Sequence, residues 1–327
     1  MRYRELGSTG LKVSEVSFGT WAIGGSWGKV GEKEALDALA RAMDAGVNFF
    51  DTADVYGDGR AERLLQQATK GREDEIHIAT KFSRQGDVTD PATFKEDKVR
   101  AWCEDSLRRL GREAIDLYQI HCPATDILRR GDVFGVLDKL KQEGKVRHYG
   151  VSVETVEEGL ISIGYPGVEA LQVIFNIFRQ KPATELFPAA EKRNVGILVR
   201  LPLASGLLTG KFKVSDTFDP DDHRNFNANG AAFNVGETFA GLPFAKGVEL
   251  ADKLRWIAEG RGTMARASMR WILAHPEVSC VIPGFKSVAQ VDDNLGTLDA
   301  ADFSKEEMER ISRFYDEEVK DHIRGPY

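Results

Sequence analysis

Asp51, Tyr56, Lys81 and His121 have the residue types and the spacing to act together on one reacting group. Asp51 follows the apolar run Val47 to Phe50, Lys81 follows Ile76 to Ala79, and His121 follows Ile115 to Ile120. Tyr56 lies five residues past Asp51 in the loop Asp51-Thr52-Ala53-Asp54-Val55-Tyr56-Gly57. A phenol, with a pKa near 10, is a poor acid or base at neutral pH. A lysine cation and an imidazole beside it favour its charged form and bring that pKa toward use. An aspartate paired with the lysine holds the cation in place. A tyrosine that donates to a carbonyl oxygen is what reduction of an aldehyde or ketone requires. The hydride has to come from a cofactor, because no side chain supplies one. A single Asp or Lys at a strand end is ordinarily a solvated cap, but four such groups at one rim form a constellation.

Those groups need elements that bring them to one rim. Eight short apolar runs fall along the chain: Glu15 to Phe18, Val47 to Phe50, Ile76 to Ala79, Ile115 to Ile120, Val146 to Tyr149, Ala170 to Phe175, Val195 to Val199 and Val278 to Ile282. Each is too short for a helix and rich in β-branched or aromatic residues, as buried parallel strands are. Amphipathic stretches such as Lys33 to Ala45, Phe94 to Leu110, Phe134 to Glu143 and Met264 to Ala274 separate them, with Gly46, Gly111 and Gly144 placed for left-handed caps. The alternation predicts an α/β fold, a single (β/α)8 TIM barrel over residues 1–327, with a hairpin at Arg2 to Val13 before it. No Gly-x-Gly-x-x-Gly follows an early strand, which counts against a Rossmann domain. Lys213 to Phe244 has neither period, yet carries Phe218, Phe226, Phe233, Phe239 and Phe244. A loop that long with that many aromatics predicts a lid over the active site or cofactor, the alternative being packing over a barrel rim.

Composition narrows the partners. A formal charge of −7 leaves no basic field for nucleic acid or an anionic membrane. Cys103, Cys122 and Cys280 are far apart and show no metal or disulfide spacing. No apolar run approaches the roughly 20 residues of a membrane span, and the first residues lack a signal-peptide core. The chain reads as soluble and cytoplasmic, with no metal; nothing in it sets an oligomeric state.

Asp51 to Gly57, Ala79-Thr80-Lys81-Phe82 and Asp116 to His121 together resemble the signatures of the aldo-keto reductase family. Ser17-Phe18-Gly19-Thr20-Trp21, Gly150-Val151-Ser152, Pro202 to Lys211 and Ile282 to Ser287 extend the similarity, in order, from about residue 3 to about residue 300. The subgroup resembled is bacterial and also includes potassium-channel β subunits. The resemblance implies NADP(H) as cofactor and a small carbonyl or alcohol as substrate. It makes Tyr56 the acid for reduction, tuned by His121 and Lys81, with Asp51 anchoring Lys81. Gly19, Thr20 and Trp21 would line the nicotinamide, and Ser152 and Gln172 would hold its carboxamide. Leu203 to Leu208, with Ser205 and Gly206, would wrap the pyrophosphate, and Lys211 would add charge there. Lys286 and Ser287 would meet a 2′-phosphate, and Gln290 and Asn294 the adenosine, beside Gly284 and Asp293. Trp27, Phe82 and Cys122 would shape the substrate pocket.

Three departures from the family's pattern bear on this. Ser152-Val153 stands where Ser-Asn is common, removing one carboxamide contact. Cys122-Pro123 replaces a bulky aromatic, which widens the pocket. Arg200 takes the place of an aromatic stacked on the nicotinamide. Its guanidinium is expected to lie on the ring, disfavouring the oxidised pyridinium; the alternative is a pair with a loop acid such as Asp219 or Asp222. A metal-dependent barrel hydrolase would need His-x-His on the first strand, where Phe18-Gly19-Thr20 stands. A cofactor-binding regulatory subunit without turnover is the other reading, and the complete tetrad favours turnover.

Overall fold

A computed structural model of the chain describes residues 1–25 and 30–327. Trp27 lies outside the described residues, so its expected place in the pocket stays with the sequence reading. The chain opens with an antiparallel hairpin, β1 (Tyr3–Glu5) and β2 (Lys12–Ser14), paired Tyr3 to Ser14. Eight parallel strands follow in sequence order: β3 (Phe18–Gly19), β4 (Phe49–Asp51), β5 (His77–Phe82), β6 (Ile115–His121), β7 (Val146–Ser152), β8 (Val168–Ile174), β9 (Gly196–Arg200) and β10 (Val278–Val281). Bridges from Val16 to Val281 and from Gly19 to Gly284 join the first strand to the last, so the sheet closes on itself. Gly19 is required at that seam, because a Cβ there would stand 2.9 Å from the carbonyl oxygen of Ile282.

All eight expected runs are strands, displaced by a few residues at their ends. Side chains alternate across each strand, and this parity builds the molecule. Phe49, Ala79, Leu117, Ala170, Leu198 and Cys280 point into the barrel, where Leu6 and Val13 of the hairpin plug the lower end. Each such large side chain taken from water contributes about 1.5–3 kcal/mol. The intervening residues, among them Phe50, Ile78, Tyr118 and Val151, pack outward against the helices. Two residues above the apolar layer, the same inward parity presents Asp51, Lys81, Gln119, Ser152, Gln172 and Arg200, all at the carboxyl ends of the strands.

The helices Glu32–Asp44, Glu96–Leu110, Asp132–Gln142 and Met264–Leu273 occupy the expected stretches. Gly46, Gly111 and Gly144 follow their ends with φ of +92°, +63° and +75°. Residues 213–244 are more ordered than their sequence suggests. Asp222 caps a short helix, His223–Phe226, and 3-10 turns follow at Val235–Glu237 and Phe239–Gly241. Phe218, Phe239 and Phe244 pack with Phe212 at ring distances of 5.0–5.7 Å and form an apolar foot. Phe233 and Asn234 face the cleft instead. One part of the segment thus packs as apolar core and another lines the cleft. No helix among the described residues is long and apolar enough to cross a membrane.

Candidate active site

A cleft of about 810 Å³ opens at the carboxyl ends of the strands. At its floor Lys81 Nζ donates to Asp51 Oδ2 at 2.7 Å and to the carbonyl of Thr52 at 2.7 Å. The Tyr56 hydroxyl stands 3.5 Å from the same ammonium, and the His121 ring meets the Tyr56 ring edge-on at 6.0 Å. The four groups expected to act together are therefore adjacent. Asp51 Oδ1 accepts from Gln172 Nε2 at 2.7 Å and from Gln119 Nε2 at 3.3 Å, so both its oxygens are fixed. A buried ion pair held by further hydrogen bonds keeps its geometry where a solvated one would not.

The electrostatics differ from the sequence expectation at Tyr56. Burial raises the pKa of its phenol, more than Lys81, Arg84 and Arg200 lower it. The correction follows from desolvation, which disfavours a phenolate more than one nearby cation favours it. The hydroxyl thus stays protonated, as an acid must be. Burial works against the Lys81 ammonium as well, but Asp51 and then Tyr56 hold its pKa above the ordinary lysine range. His121 is kept neutral, its pKa well below normal, first by burial and then by Arg84 and Lys81. Its Nδ1 is buried without a hydrogen-bond partner.

Cofactor-site expectations divide in two. Gly19, Trp21, Gln172, Arg200, Leu203, Ser205, Gly206, Lys211, Gly284, Lys286, Gln290, Asp293 and Asn294 all line the cleft. Left-handed backbone at Ser205 (φ 56°) and Gly206 (φ 102°) curls the 203–208 turn around one wall. Ser287 caps the helix Val288–Leu295, and Gln290 Oε1 accepts from the Lys286 N–H at 2.8 Å. Thr20, Ser152 and Leu208 lie behind the wall: the Thr20 hydroxyl donates to the Asp51 carbonyl at 3.0 Å, Ser152 to Gln172 at 3.3 Å, and Leu208 is core. Gln172 therefore meets protein on both its amide atoms, and Asp293 pairs with Arg266 at 2.8 Å.

Two readings need correction. Phe82 does not face the cleft; with Lys81 pointing inward, parity turns Phe82 outward, where it stacks on Tyr118 at 4.6 Å. Arg200 does pair with an acid of the 213–244 segment, but the acid is Glu237, at 3.4 Å, since Asp222 is engaged by Arg224. Arg200 also donates to the Val153 carbonyl at 3.3 Å and to Cys122 Sγ at 3.4 Å. Cys122 lies in the cleft as expected, with burial pushing its thiol up to about 12.

Sequence reasoning missed Arg84, Glu154, Glu237 and Arg224. Arg84 reaches the cleft because Ser83, at φ +97°, turns the chain just past β5; Cys122 and Leu201 do the same past β6 and β9. Arg84 grips Glu237 at 2.5 Å and Glu154 at 3.3 Å. Arg224 lines the cleft on the same side as Lys286, supplying a further cation there. Cys122, Glu154 and Glu237 have the spacing of a metal-ligand group. Two guanidiniums already bond this group, so its countercharge is arginine.

The family model described as the aldo/keto reductase family matches residues 15–316. Aldo-keto reductase YhdN of Bacillus subtilis is 29% identical over the whole chain and 97% of its own length. Aldo-keto reductase yakc, NADP(+), of Schizosaccharomyces pombe is 31% identical over 88% of this chain and 84% of its own length. Among solved structures, the glycerol dehydrogenase of Gluconobacter oxydans superposes with a TM-score of 0.76 at 29% identity, covering 99% of this chain and 98% of that one. With a closed barrel of the same plan and a family match over nearly its full length, this chain belongs to the aldo/keto reductase family.

Proposed function

We propose that this chain, working as one domain in the cytoplasm, reduces small aldehydes or ketones with NADPH, using Tyr56 as the acid. The observation that carries the reading is the buried Lys81 ammonium, clamped by Asp51 and set 3.5 Å from the Tyr56 hydroxyl. When bound, the nicotinamide supplies the hydride. The residues present suit such a nucleotide: neutral and aromatic groups lie near Tyr56, and Lys211, Arg224 and Lys286 stand where phosphates would need cations. The name of the Schizosaccharomyces pombe relative carries NADP(+), which agrees.

The protein's own steps follow from its charges. A carbonyl oxygen seated against Tyr56 and His121 accepts the phenol proton as the carbon accepts hydride. The tyrosinate left behind is stabilised by the Lys81 ammonium, which Asp51 prevents from moving away. Neutral His121 presents a hydrogen-bonding ring beside Tyr56 without adding charge. Loss of NADPH absorbance with 4-nitrobenzaldehyde or methylglyoxal tests the proposal. Steady turnover with NADPH, and much weaker turnover with NADH, is expected; no oxidation of either cofactor refutes it.

A further inference from the structure

Arg84 and Arg200 meet Glu237 and Glu154 beside the tetrad, with Arg179 behind Glu154, and the charges of the five do not cancel. Arg84 and Arg200 line the cleft next to His121, with their side chains 19% and 12% exposed. Arg179, almost wholly buried one strand end away, donates to the Glu154 and Pro326 carbonyls at 2.8 and 3.4 Å, and its Nη1 has no hydrogen-bond partner. Arg200 Nε is also buried without a partner. Against these cations stand Glu237 and Glu154, whose carboxyl oxygens lie within 4.8 Å of each other. Two carboxyl groups in such contact hold one proton between them. In agreement, Glu154 is pushed up to about 8, by burial and then by Glu237. Lys81 and Asp51 neutralise each other, and Asp87 lies out at the exposed rim with its carboxylate turned onto Thr89. A partly buried group of positive charge facing a cavity is relieved by an anion that enters it.

We infer that the substrate is a carbonyl compound carrying a carboxylate, which Arg84 and Arg200 receive while Tyr56 and His121 hold the carbonyl. Arg84 is the principal contact: it lines the cleft, its guanidinium 5.7 Å from the Phe233 ring centroid. Glu237 keeps both arginines in place. The inference rests on the reductase reading for its chemistry but not for its binding.

The test compares 4-formylbenzoate with its methyl ester, by calorimetric titration into the protein with and without NADPH and by turnover. The acid is expected to bind about tenfold or more tightly than the ester, as for a charge-assisted contact to arginine. Arg84→Met should bring that ratio close to one. About 0.5 M KCl should also shrink the ratio in the unmutated protein, which serves as the test if the variant does not fold. Equal binding of acid and ester by the unmutated protein overturns the inference, even if both are reduced. A ratio that a folded Arg84→Met leaves unchanged overturns it as well. Preferential binding of the acid without reduction of either compound upholds the anion site and refutes the reductase reading.

Discussion

Lys286 and Asp54 carry the clearest consequences at the scale of single residues. Lys286 is half-buried near Arg224 and Asp222, with burial lowering its pKa. If it meets a 2′-phosphate, Lys286→Ala should weaken NADPH about tenfold or more and leave NADH almost unchanged. Fluorescence titration with both cofactors reads this, and an equal loss for the two would deny the phosphate contact. Asp54 sits two residues before Tyr56, and its carboxyl is pushed up to about 7, by burial and then by Glu62, against the hydrogen bond from Gln85 and the charge of Arg109. The folded chain therefore keeps a proton that the unfolded chain gives up above about pH 4, so stability falls as pH rises from about 4 to about 7. Asp54→Asn should flatten that slope by about 1 kcal/mol or more between pH 5 and pH 8. Urea unfolding at the two pH values measures it, and an unchanged slope would show that Asp54 titrates normally.

At the scale of elements, the 213–244 segment is held from outside itself. Arg324 donates to Gly241 O at 2.9 Å, to Ala228 O at 2.8 Å and to Asn229 Oδ1 at 2.8 Å, and its own N–H donates to Gly241 O at 3.1 Å. Arg324→Ala should raise amide exchange in residues 228–242 and leave β5 and β6 unchanged. Equal protection of 228–242 in both proteins would mean that the phenylalanine foot and Glu237 suffice. The strands were readable in the sequence because strands covered on both faces are continuous apolar runs, and the tetrad because consecutive runs ended in chemically matched groups. Phe82 was misread for want of one step: strand parity, applied from Lys81, already turns it outward. The Arg84–Glu154–Glu237–Arg200 cluster was not readable. Its members come from three strand ends and a loop, Arg84 and Glu237 being 153 residues apart, and no local period marks them. The pKa of Tyr56 was misjudged because a sequence shows which charges are near but not how much water is excluded.

For the molecule as a whole, an acidic chain of net charge −7 sets Arg84, Arg200, Lys211, Arg224 and Lys286 around one cleft of a closed barrel, with acids between them. The hairpin plugs the end remote from that cleft, so the apolar layer supplies stability while the polar layer above it is free to carry chemistry. The proposed reduction depends on Tyr56 donating the proton inside this scaffold. The most direct measurement is kcat for NADPH-dependent reduction of 4-nitrobenzaldehyde by Tyr56→Phe, with NADPH affinity titrated in the same preparation. A fall on the order of 10²-fold or more in kcat, with NADPH affinity nearly unchanged, is predicted. Retention of most of the activity by Tyr56→Phe would contradict it.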